Sequence, residues 1–424
     1  HDRVRPVVFD VMGRDARVGP SPESNPNRAC PPHPPDVSQS SAVPIDSARP
    51  SVIKLLHTAD WQIGKLFGQF EPDEAAILAE ARFTTIERLA RLATDQGVDA
   101  ILVAGDVFDA QGVADKTIHR LFHAMAGFTG PWLMIPGNHD AGLAESVWTR
   151  AVRLGAMPPN VTLCLKPEPL IVAAPALAIL PAPLTQRITH ADLTEWFAGA
   201  ETPAGLPRIG LAHGSVQGIL ADGIDSSNPI AAGRAVQARL DYLALGDWHG
   251  TRQVDERCWY AGTPETDRFK ANDSGQALLV ELDGAGGLPK VTPIACGQYR
   301  WQIETLTLQV PSDVDQAVER IAAYGPFDVV QLEVSGQTDL AGHRRLFEAI
   351  GKARGKARSL LADLAALRLE PTDDDIADIQ ADGYLGEVLA ELRAGQDGPD
   401  GEVARDALAL LAGLLDERRA GAAR

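Results

Sequence analysis

The stretch HTADWQIGK, residues 57–65, decides the fold, because it ends a short apolar run on the carboxylate Asp60 and places the amide Gln62 two positions later. Four more apolar runs end in polar residues: GDVFD (105–109), GNHD (137–140), AHG (212–214) and GDWH (246–249). Helical segments separate several of these runs, which is typical of an α/β protein, and such proteins assemble their sites at the carboxyl ends of strands. The pattern therefore predicts an α/β fold with one site built from five strand ends.

The remaining apolar pattern predicts how these strands are arranged. Further strands are expected at LIVAA, LAIL, CWYAG and ALLVELD, and helices over about 73–96 and 115–126. Residues 51–298 should form two β-sheets packed as a sandwich and flanked by helices. We expect residues 299–424 to form a smaller α+β capping domain, with strands QIETLTLQV and DVVQLEV and helices near 312–323, 339–350, 384–393 and 402–418.

Residues 1–50 differ in composition from the rest of the chain. They are rich in Pro, Ser, Asp and Arg and show neither a helical nor an alternating apolar period. We therefore expect a disordered N-terminal extension. A leader, a tag and an upstream mistranslated segment are all compatible with this stretch.

Composition excludes several classes of protein. Hydrophobic residues make up 45% of the 424 residues and charged residues 23%, as in an ordinary soluble protein, and no apolar run reaches the roughly 20 residues that span a bilayer. The four cysteines form no CxxC pair, so we expect neither a zinc knuckle nor a disulfide framework, and a cytoplasmic location fits.

The chain is acidic, with a formal net charge of -18. This charge opposes nonspecific binding to nucleic acid, which depends on lysine and arginine replacing phosphate counterions. If DNA is the substrate, another protein must help to hold it. The basic segment GKARGKAR, residues 351–358, is either a solvated surface or a phosphate-contacting patch.

The five strand ends share one kind of chemistry. They supply Asp, Asn, Gln and His side chains and no Cys. Carboxylate, amide and imidazole ligands together suit Mn²⁺, Fe²⁺ or Zn²⁺, whereas a calcium site would lack the imidazoles. The sequence therefore predicts a transition-metal site.

The order and spacing of these motifs resemble the calcineurin-like metallophosphoesterases. Within that superfamily, LLHTADWQIGK, AGDVFD, IPGNHD, LAHGS and YAGTPETDRF are similar to the SbcD-type DNA repair exonucleases over about residues 52–270. The resemblance implies a metallophosphoesterase fold and a metal-dependent phosphodiesterase that acts on DNA. It also implies an SMC-like coiled-coil ATPase partner (SbcC-type) and a possible homodimer.

The resemblance also implies a role for each matching residue. Two divalent ions, expected to be Mn²⁺, would be bridged by Asp106. The first ion would be held by Asp60 and His249 with Gln62 near it, and the second by Asn138, His213 and Asp247.

Two further residues follow Asn138 in the same motif. By the same resemblance, His139 would be catalytic and would face the scissile phosphate. Asp140 would orient that imidazole or its loop, with capping of the following helix as the alternative.

The sequence departs from the family pattern at two positions. Gln62 stands where the pattern has His, and Asp247 stands where it has the first His of Gly-His-x-His. A neutral amide is a weaker ligand than imidazole and an aspartate adds charge, so the first ion should bind more weakly and the second position should prefer harder ions. Two other functions stay open: a phosphoesterase for a small nucleotide or phosphoprotein, and a metal-poor scaffold.

Overall fold

The computed structural model describes residues 52–218, 227–379 and 383–422, so the extension expected at residues 1–50 lies outside the described residues. The first fourteen described strands are β1 (Ile53–Thr58), β2 (Ala100–Ala104), β3 (Trp132–Ile135), β4 (Val161–Leu163), β5 (Leu170–Val172), β6 (Leu177–Ala182), β7 (Arg208–His213), β8 (Ser215–Val216), β9 (Pro229–Ile230), β10 (Tyr242–Gly246), β11 (Arg252–Gln253), β12 (Cys258–Tyr260), β13 (Gln276–Leu282) and β14 (Lys290–Ala295). Twelve of them form two six-stranded sheets, ordered β14-β13-β1-β2-β3-β4 and β11-β12-β10-β7-β6-β5, and β8 pairs with β9. The predicted two-sheet α/β fold is confirmed.

Parallel strands form the centre of each sheet. β1, β2 and β3 run parallel in the first, and β6, β7 and β10 in the second. The two sheets share one core, in which Leu55 and Leu102 from the first pack with Ile179 and Leu211 from the second. Because both faces of these strands are covered, the sequence shows unbroken apolar runs instead of an alternating pattern.

Helices cover the outer face of the first sheet. These helices are α1 (Pro72–Asp95), α2 (Asp115–Ala124) and α3 (Val147–Arg153). The short α4 (Arg234–Gln237) packs against the second sheet instead. The long helix α1 begins with proline in its first turn, where the missing N–H costs no hydrogen bond. Its buried side chains, among them Ile86 and Leu89, pack with Leu121 of α2. Both predicted helices are therefore present, within a residue or two of the expected ends.

The C-terminal elements form a sheet of their own. They are β15 (Arg300–Leu308), α5 (Pro311–Ala322), β16 (Asp328–Thr338), α6 (Leu340–Arg354) and β17 (Ser359–Leu369), followed by α7 (Asp373–Ile379), α8 (Tyr384–Ala394) and α9 (Gly401–Ala422). All three strands are parallel. Each crossover runs through a helix, as parallel pairing requires. The helices thus alternate with the strands in this part of the chain.

Two long strands were not predicted from the sequence. β17 has the sequence SLLADLAALRL, in which leucine and alanine suit a helix better than β-branched residues would. β14 is mostly exposed and so lacks an apolar signal. The basic segment 351–358 forms the last turn of α6 and the turn before β17. Lys352 pairs with Glu348 at 2.6 Å, and Lys356 Nζ donates to the carbonyl of Ala322 at 3.0 Å.

An aromatic cluster joins the C-terminal sheet to loops of the sandwich. Trp301 on β15 contacts Phe67 and Phe70, which lie between β1 and α1, with ring centroids 6.1 and 5.5 Å apart. Phe269, in the loop after β12, lies 4.9 Å from the same indole. We call these four residues the aromatic cluster.

Three cysteines lie in the described part of the chain. Cys164, Cys258 and Cys296 are buried free thiols. Within the described ranges, no helix combines the length and the apolar character needed to cross a membrane.

Candidate metal centre

The five polar motifs come together where the two sheets present the carboxyl ends of their parallel strands. Asp60, Asp106 and Asn138 follow β1, β2 and β3 in the first sheet. His213 ends β7 and Asp247 follows β10 in the second sheet. Asp60, Asp106 and His213 are buried and offer ligand atoms that all lie within 4.8 Å of one another. Parallel pairing therefore explains how residues far apart in the chain reach one point.

The backbone turns sharply at these strand ends. Asp60 and Asp106 have φ values of 53° and 51°, in the left-handed region that non-glycine residues seldom adopt. Such conformations persist only where the surrounding structure fixes them, and they concentrate at functional sites. Gly105 before Asp106 has φ of 87°, and a Cβ there would lie 2.5 Å from His213 Nδ1. Glycine is thus required for His213 to approach the β2 strand end.

His213 is the centre of the best-formed group of ligands. Its Nδ1 donates to the carbonyl of Ala104 at 2.7 Å, which leaves a lone pair on Nε2. That Nε2 lies 2.8 Å from Asn138 Oδ1, 3.5 Å from Asp106 Oδ1 and 3.8 Å from Asp247 Oδ1. We call these four residues the His213 group.

The His213 group fits a divalent cation. Four electron-pair donors face one another, which is unfavourable unless a positive charge lies between them. Burial alone would lower the pKa of His213, but the carboxylates of Asp106, Asp60 and Asp247 together raise the pKa to about 9. The group therefore attracts a positive charge, either a proton or a metal ion.

Asp60 and Gln62 lie beside this group. Asp60 is fully buried, and the backbone N–H of Asp247 donates to its carboxylate at 3.1 Å. Burial and the neighbouring Asp106 and Asp247 raise the pKa of Asp60 to about 6, against the opposing effect of His249. Gln62 Nε2 donates to Asp106 Oδ2 at 2.8 Å. The amide expected near the first metal thus contacts the carboxylate expected to bridge both metals.

His249 contacts two residues that the sequence analysis gave no role. Its Nδ1 lies 3.2 Å from Asp267 Oδ2 and 2.8 Å from Arg268 Nη2. Asp267 is itself buried, yet His249, Arg82 and Arg268 hold the pKa of its carboxyl well below the usual range. Both residues lie in the TPETDRF segment that carries part of the family resemblance, so the motif was a signal that could have found them.

His139 lies at the open side of the centre. Its imidazole Nδ1 lies 2.7 Å from the carbonyl of Asp109, and its Nε2 lies 4.0 Å from Asp106 Oδ2. Its side chain is 34% exposed, whereas that of His213 is fully buried. A hydrogen bond from Nδ1–H to the carbonyl leaves Nε2 free to accept or donate a proton at the surface of the site.

Asp140 fixes the two loops that carry these residues. Its Oδ2 accepts from the backbone N–H groups of Val107 and Phe108 at 2.9 and 3.1 Å, and its Oδ1 accepts from Gly137 at 2.6 Å. Burial and the nearby Asp106 raise the pKa of Asp140 to about 7. These three hydrogen bonds go to the backbone of the two loops and involve neither the imidazole of His139 nor a helix N-terminus.

Arg82 is a buried cation behind the centre that the sequence analysis missed. It lies on the apolar face of α1, where a charged residue is itself a signal of a specific partner. Its guanidinium donates to the carbonyls of Asp60 and Trp61 and to Thr263 Oγ1. Arg82 therefore holds the Asp60 loop against the segment that carries Asp267.

His57, which is close in sequence to Asp60, serves packing. Its Nδ1 lies 2.9 Å from the Tyr242 hydroxyl and its Nε2 lies 3.2 Å from the carbonyl of Leu245. Complete burial lowers its pKa to about 3, so the imidazole is neutral.

The part of the chain that carries the metal centre matches a known protein family. Residues 53–280, more than half of the chain, match the family described as calcineurin-like phosphoesterase. The chain belongs to that family. Members of the calcineurin-like phosphoesterases use divalent metals, and the triangle of Asp60, Asp106 and His213 is a group of the required kind.

Three relatives of this phosphoesterase are nuclease or DNA-repair proteins by name. It is 37% identical over 95 residues to the D subunit of the nuclease SbcCD from Rhodobacter capsulatus, covering 21% of this chain and 22% of the relative. The D subunit of the nuclease SbcCD from Bacillus subtilis is 32% identical over 93 residues, which covers 21% of this chain and 22% of the relative. DNA double-strand break repair protein Mre11 of Methanosarcina acetivorans is 23% identical over 318 residues, 68% of this chain and 46% of the relative. The matched stretches thus span less than half of each relative.

Proposed function

We propose that this phosphoesterase is a metal-dependent phosphodiesterase that cleaves DNA, an exonuclease subunit for repair or end processing. The observation that carries the proposal is the His213 group, which places two carboxylates, an amide and an imidazole around one point. The nuclease names of the relatives point to DNA as the polymer.

The proposal includes two divalent ions, Mn²⁺ by preference, with Asp106 between them. The His213 group would hold one ion, and Asp60 and His249 would hold the other with Gln62 beside Asp106. When bound, such ions neutralise the charge of a phosphodiester and lower the pKa of water so that it can attack.

His139 is the residue proposed to move the proton. The carbonyl of Asp109 orients its ring, and the half-exposed Nε2 can reach a substrate that buried His213 cannot. A positioned imidazole of this kind can protonate the leaving oxygen or stabilise the charge that develops on the phosphate. The loop fixed by Asp140 keeps the backbone N–H of His139 on Asp106 Oδ1 at 2.9 Å.

A partner protein is proposed to supply DNA affinity, because a net charge of -18 opposes binding to a polyanion. We propose an SMC-like coiled-coil ATPase in the cytoplasm, where buried thiols such as Cys164 stay reduced. Helix α9 carries a suitable surface: Val403, Leu410 and Leu414 are 67%, 69% and 63% exposed. Their spacing of seven and four residues puts them on one helix face, as in a coiled-coil contact.

The test of the function is digestion of three substrates with each of several metals. End-labelled duplex DNA, single-stranded DNA and a generic phosphodiester are incubated with Mn²⁺, Mg²⁺, Zn²⁺ or a chelator. We expect cleavage of DNA that requires a metal and is fastest with Mn²⁺. Hydrolysis of the generic phosphodiester without cleavage of either DNA, or no cleavage with any ion, would refute the proposal.

The partner is tested separately on α9. A Leu410→Glu/Leu414→Glu variant should lose binding to the coiled-coil segment of an SMC-like ATPase from the same genome, measured by calorimetry. Hydrolysis of the generic phosphodiester should persist, because these side chains lie on an exposed helix face. A Glu402→Gln variant, exposed on the same helix, is the matched control. Unchanged binding in the double variant would exclude α9 as the contact.

A further inference from the structure

The two proposed metal positions differ in whether their ligand atoms are already directed at the place of an ion. In the His213 group, Nε2 of the imidazole and the Oδ1 atoms of Asp106 and Asn138 face the same point. The tautomer is set by the bond from Nδ1 to the Ala104 carbonyl, so no rearrangement is needed before an ion binds.

Gln62 does not offer a ligand atom to the other position. Its Nε2 donates to Asp106 Oδ2, so an N–H, and not an electron pair, faces the carboxylate. Reversing the amide would put its oxygen 2.8 Å from a carboxylate oxygen, which is repulsive without a cation between them. The Gln62 amide therefore occupies Asp106 Oδ2, the carboxylate oxygen that does not face His213.

A permanent positive charge lies against His249. Arg268 Nη2 is 2.8 Å from Nδ1 and 3.5 Å from Nε2 of the imidazole, while Arg268 Nε donates to Asp267 at 2.9 Å. Lys65 Nζ lies 3.1 Å from the same carboxylate, so two cations already share the charge of Asp267. An ion on His249 would be repelled by this guanidinium.

We propose that the centre binds its two ions unequally: the His213 group holds one tightly, and the Asp60–His249 position binds at least about tenfold more weakly because Arg268 supplies positive charge there. This inference rests on the proposed function, since it concerns the same centre. The guanidinium side chain is 48% exposed, and its planar fork matches phosphate oxygens. Arg268 thus takes over part of the charge neutralisation that a second tightly bound ion would provide.

The test is a titration of the metal-free full chain with Mn²⁺, followed by equilibrium dialysis and elemental analysis. We expect one equivalent to bind first and a second only at roughly tenfold or higher concentration. Electron paramagnetic resonance should show an isolated Mn²⁺ spectrum at one equivalent and a coupled pair near saturation. Two equivalents of equal affinity in the wild type would overturn the inference.

Variants identify the cause of the difference. Gln62→His adds an imidazole and Arg268→Gln removes the guanidinium, so each should tighten the second equivalent and leave the first unchanged. Arg252→Gln is the matched control, since this exposed guanidinium lies over Trp248, 5.6 Å from the ring centroid. An Arg268→Gln variant whose second equivalent binds as in the wild type would overturn the role of Arg268.

The outcomes separate this inference from the proposed function. Metal-dependent DNA cleavage by a chain that binds two equal ions would keep the function and overturn only the inference. A chain that binds no Mn²⁺ at all would overturn both.

Discussion

Replacing Asp140 by alanine tests whether one buried carboxylate holds the metal centre together. The side chain is completely buried and accepts hydrogen bonds from the N–H groups of Gly137, Val107 and Phe108. Asp140→Ala would leave three buried backbone donors without a partner. Each such donor costs about 1–3 kcal/mol. Because water can enter the space, we expect each donor to cost the lower end of this range, so the free energy of unfolding should fall by about 3 kcal/mol.

The assay is urea unfolding of the metal-free chain at pH 6, below the raised pKa of Asp140, so that the substitution does not also remove a buried charge; unfolding is followed by tryptophan fluorescence. Asp241→Ala is the matched control, because Asp241 is also buried but accepts from two backbone N–H groups, those of Arg208 and Gly286, and pairs with the Arg257 guanidinium at 3.7 Å. Its loss should be nearer 2 kcal/mol by the same reasoning. Only Asp140→Ala should also weaken Mn²⁺ binding, since only that residue joins the loops of Asp106 and Asn138.

Two results would refute this reasoning. A loss below about 1 kcal/mol in Asp140→Ala would mean that the three N–H groups find other partners. Equal weakening of Mn²⁺ binding in Asp140→Ala and Asp241→Ala would mean that general destabilisation, and not the geometry of the two loops, controls the metal site.

Three further predictions concern single side chains. Asp106→Ala should abolish hydrolysis of a generic phosphodiester with Mn²⁺, and turnover at the wild-type rate would show that Asp106 does not bridge the ions. His139→Ala should keep its Mn²⁺ by elemental analysis but lose about 10²–10⁴-fold in rate, as for a missing acid–base group; loss of an ion would instead make it a ligand. His57 should make the fold acid-sensitive: its folded pKa of about 3 lies below the ordinary 6.5, so only the unfolded chain takes up this proton between those values. The stabilisation that comes from the neutral, buried His57 is complete above pH 6.5 and is about 2 kcal/mol smaller at pH 5. Between pH 7.5 and 5, the free energy of urea unfolding should therefore change by about 2 kcal/mol less in His57→Gln than in the wild type.

The sequence was sufficient to predict which strand ends meet. Asp60, Asp106 and His213 each follow an unbroken apolar run, and parallel strands place their carboxyl ends at one edge of a sheet. The two-sheet fold follows from the same pattern, because only strands covered on both faces are apolar throughout.

The roles of the surrounding residues were harder to predict because they depend on distant contacts. The direction of the Gln62 amide is set by Asp106, 44 residues away, and the charge beside His249 comes from a loop 19 residues further on. Arg82 reaches Thr263 across 181 positions. Propensity and periodicity describe neighbours along one element, so they carry no information on such pairs. The strand β17 was missed for a different reason, since tertiary pairing overrides its helix-favouring composition.

The aromatic cluster connects the C-terminal sheet to the loop that carries Arg268 at the metal centre. Trp301 contacts Phe67, Phe70 and Phe269, and Phe269 directly follows Arg268 in the chain. Packed rings transmit displacement because an interior has few voids to absorb it. A force applied to the three-stranded sheet would therefore shift the Arg268 guanidinium relative to His249. The distance between the guanidinium of Arg268 and the imidazole of His249 is thus coupled, through four packed rings, to the position of the C-terminal sheet.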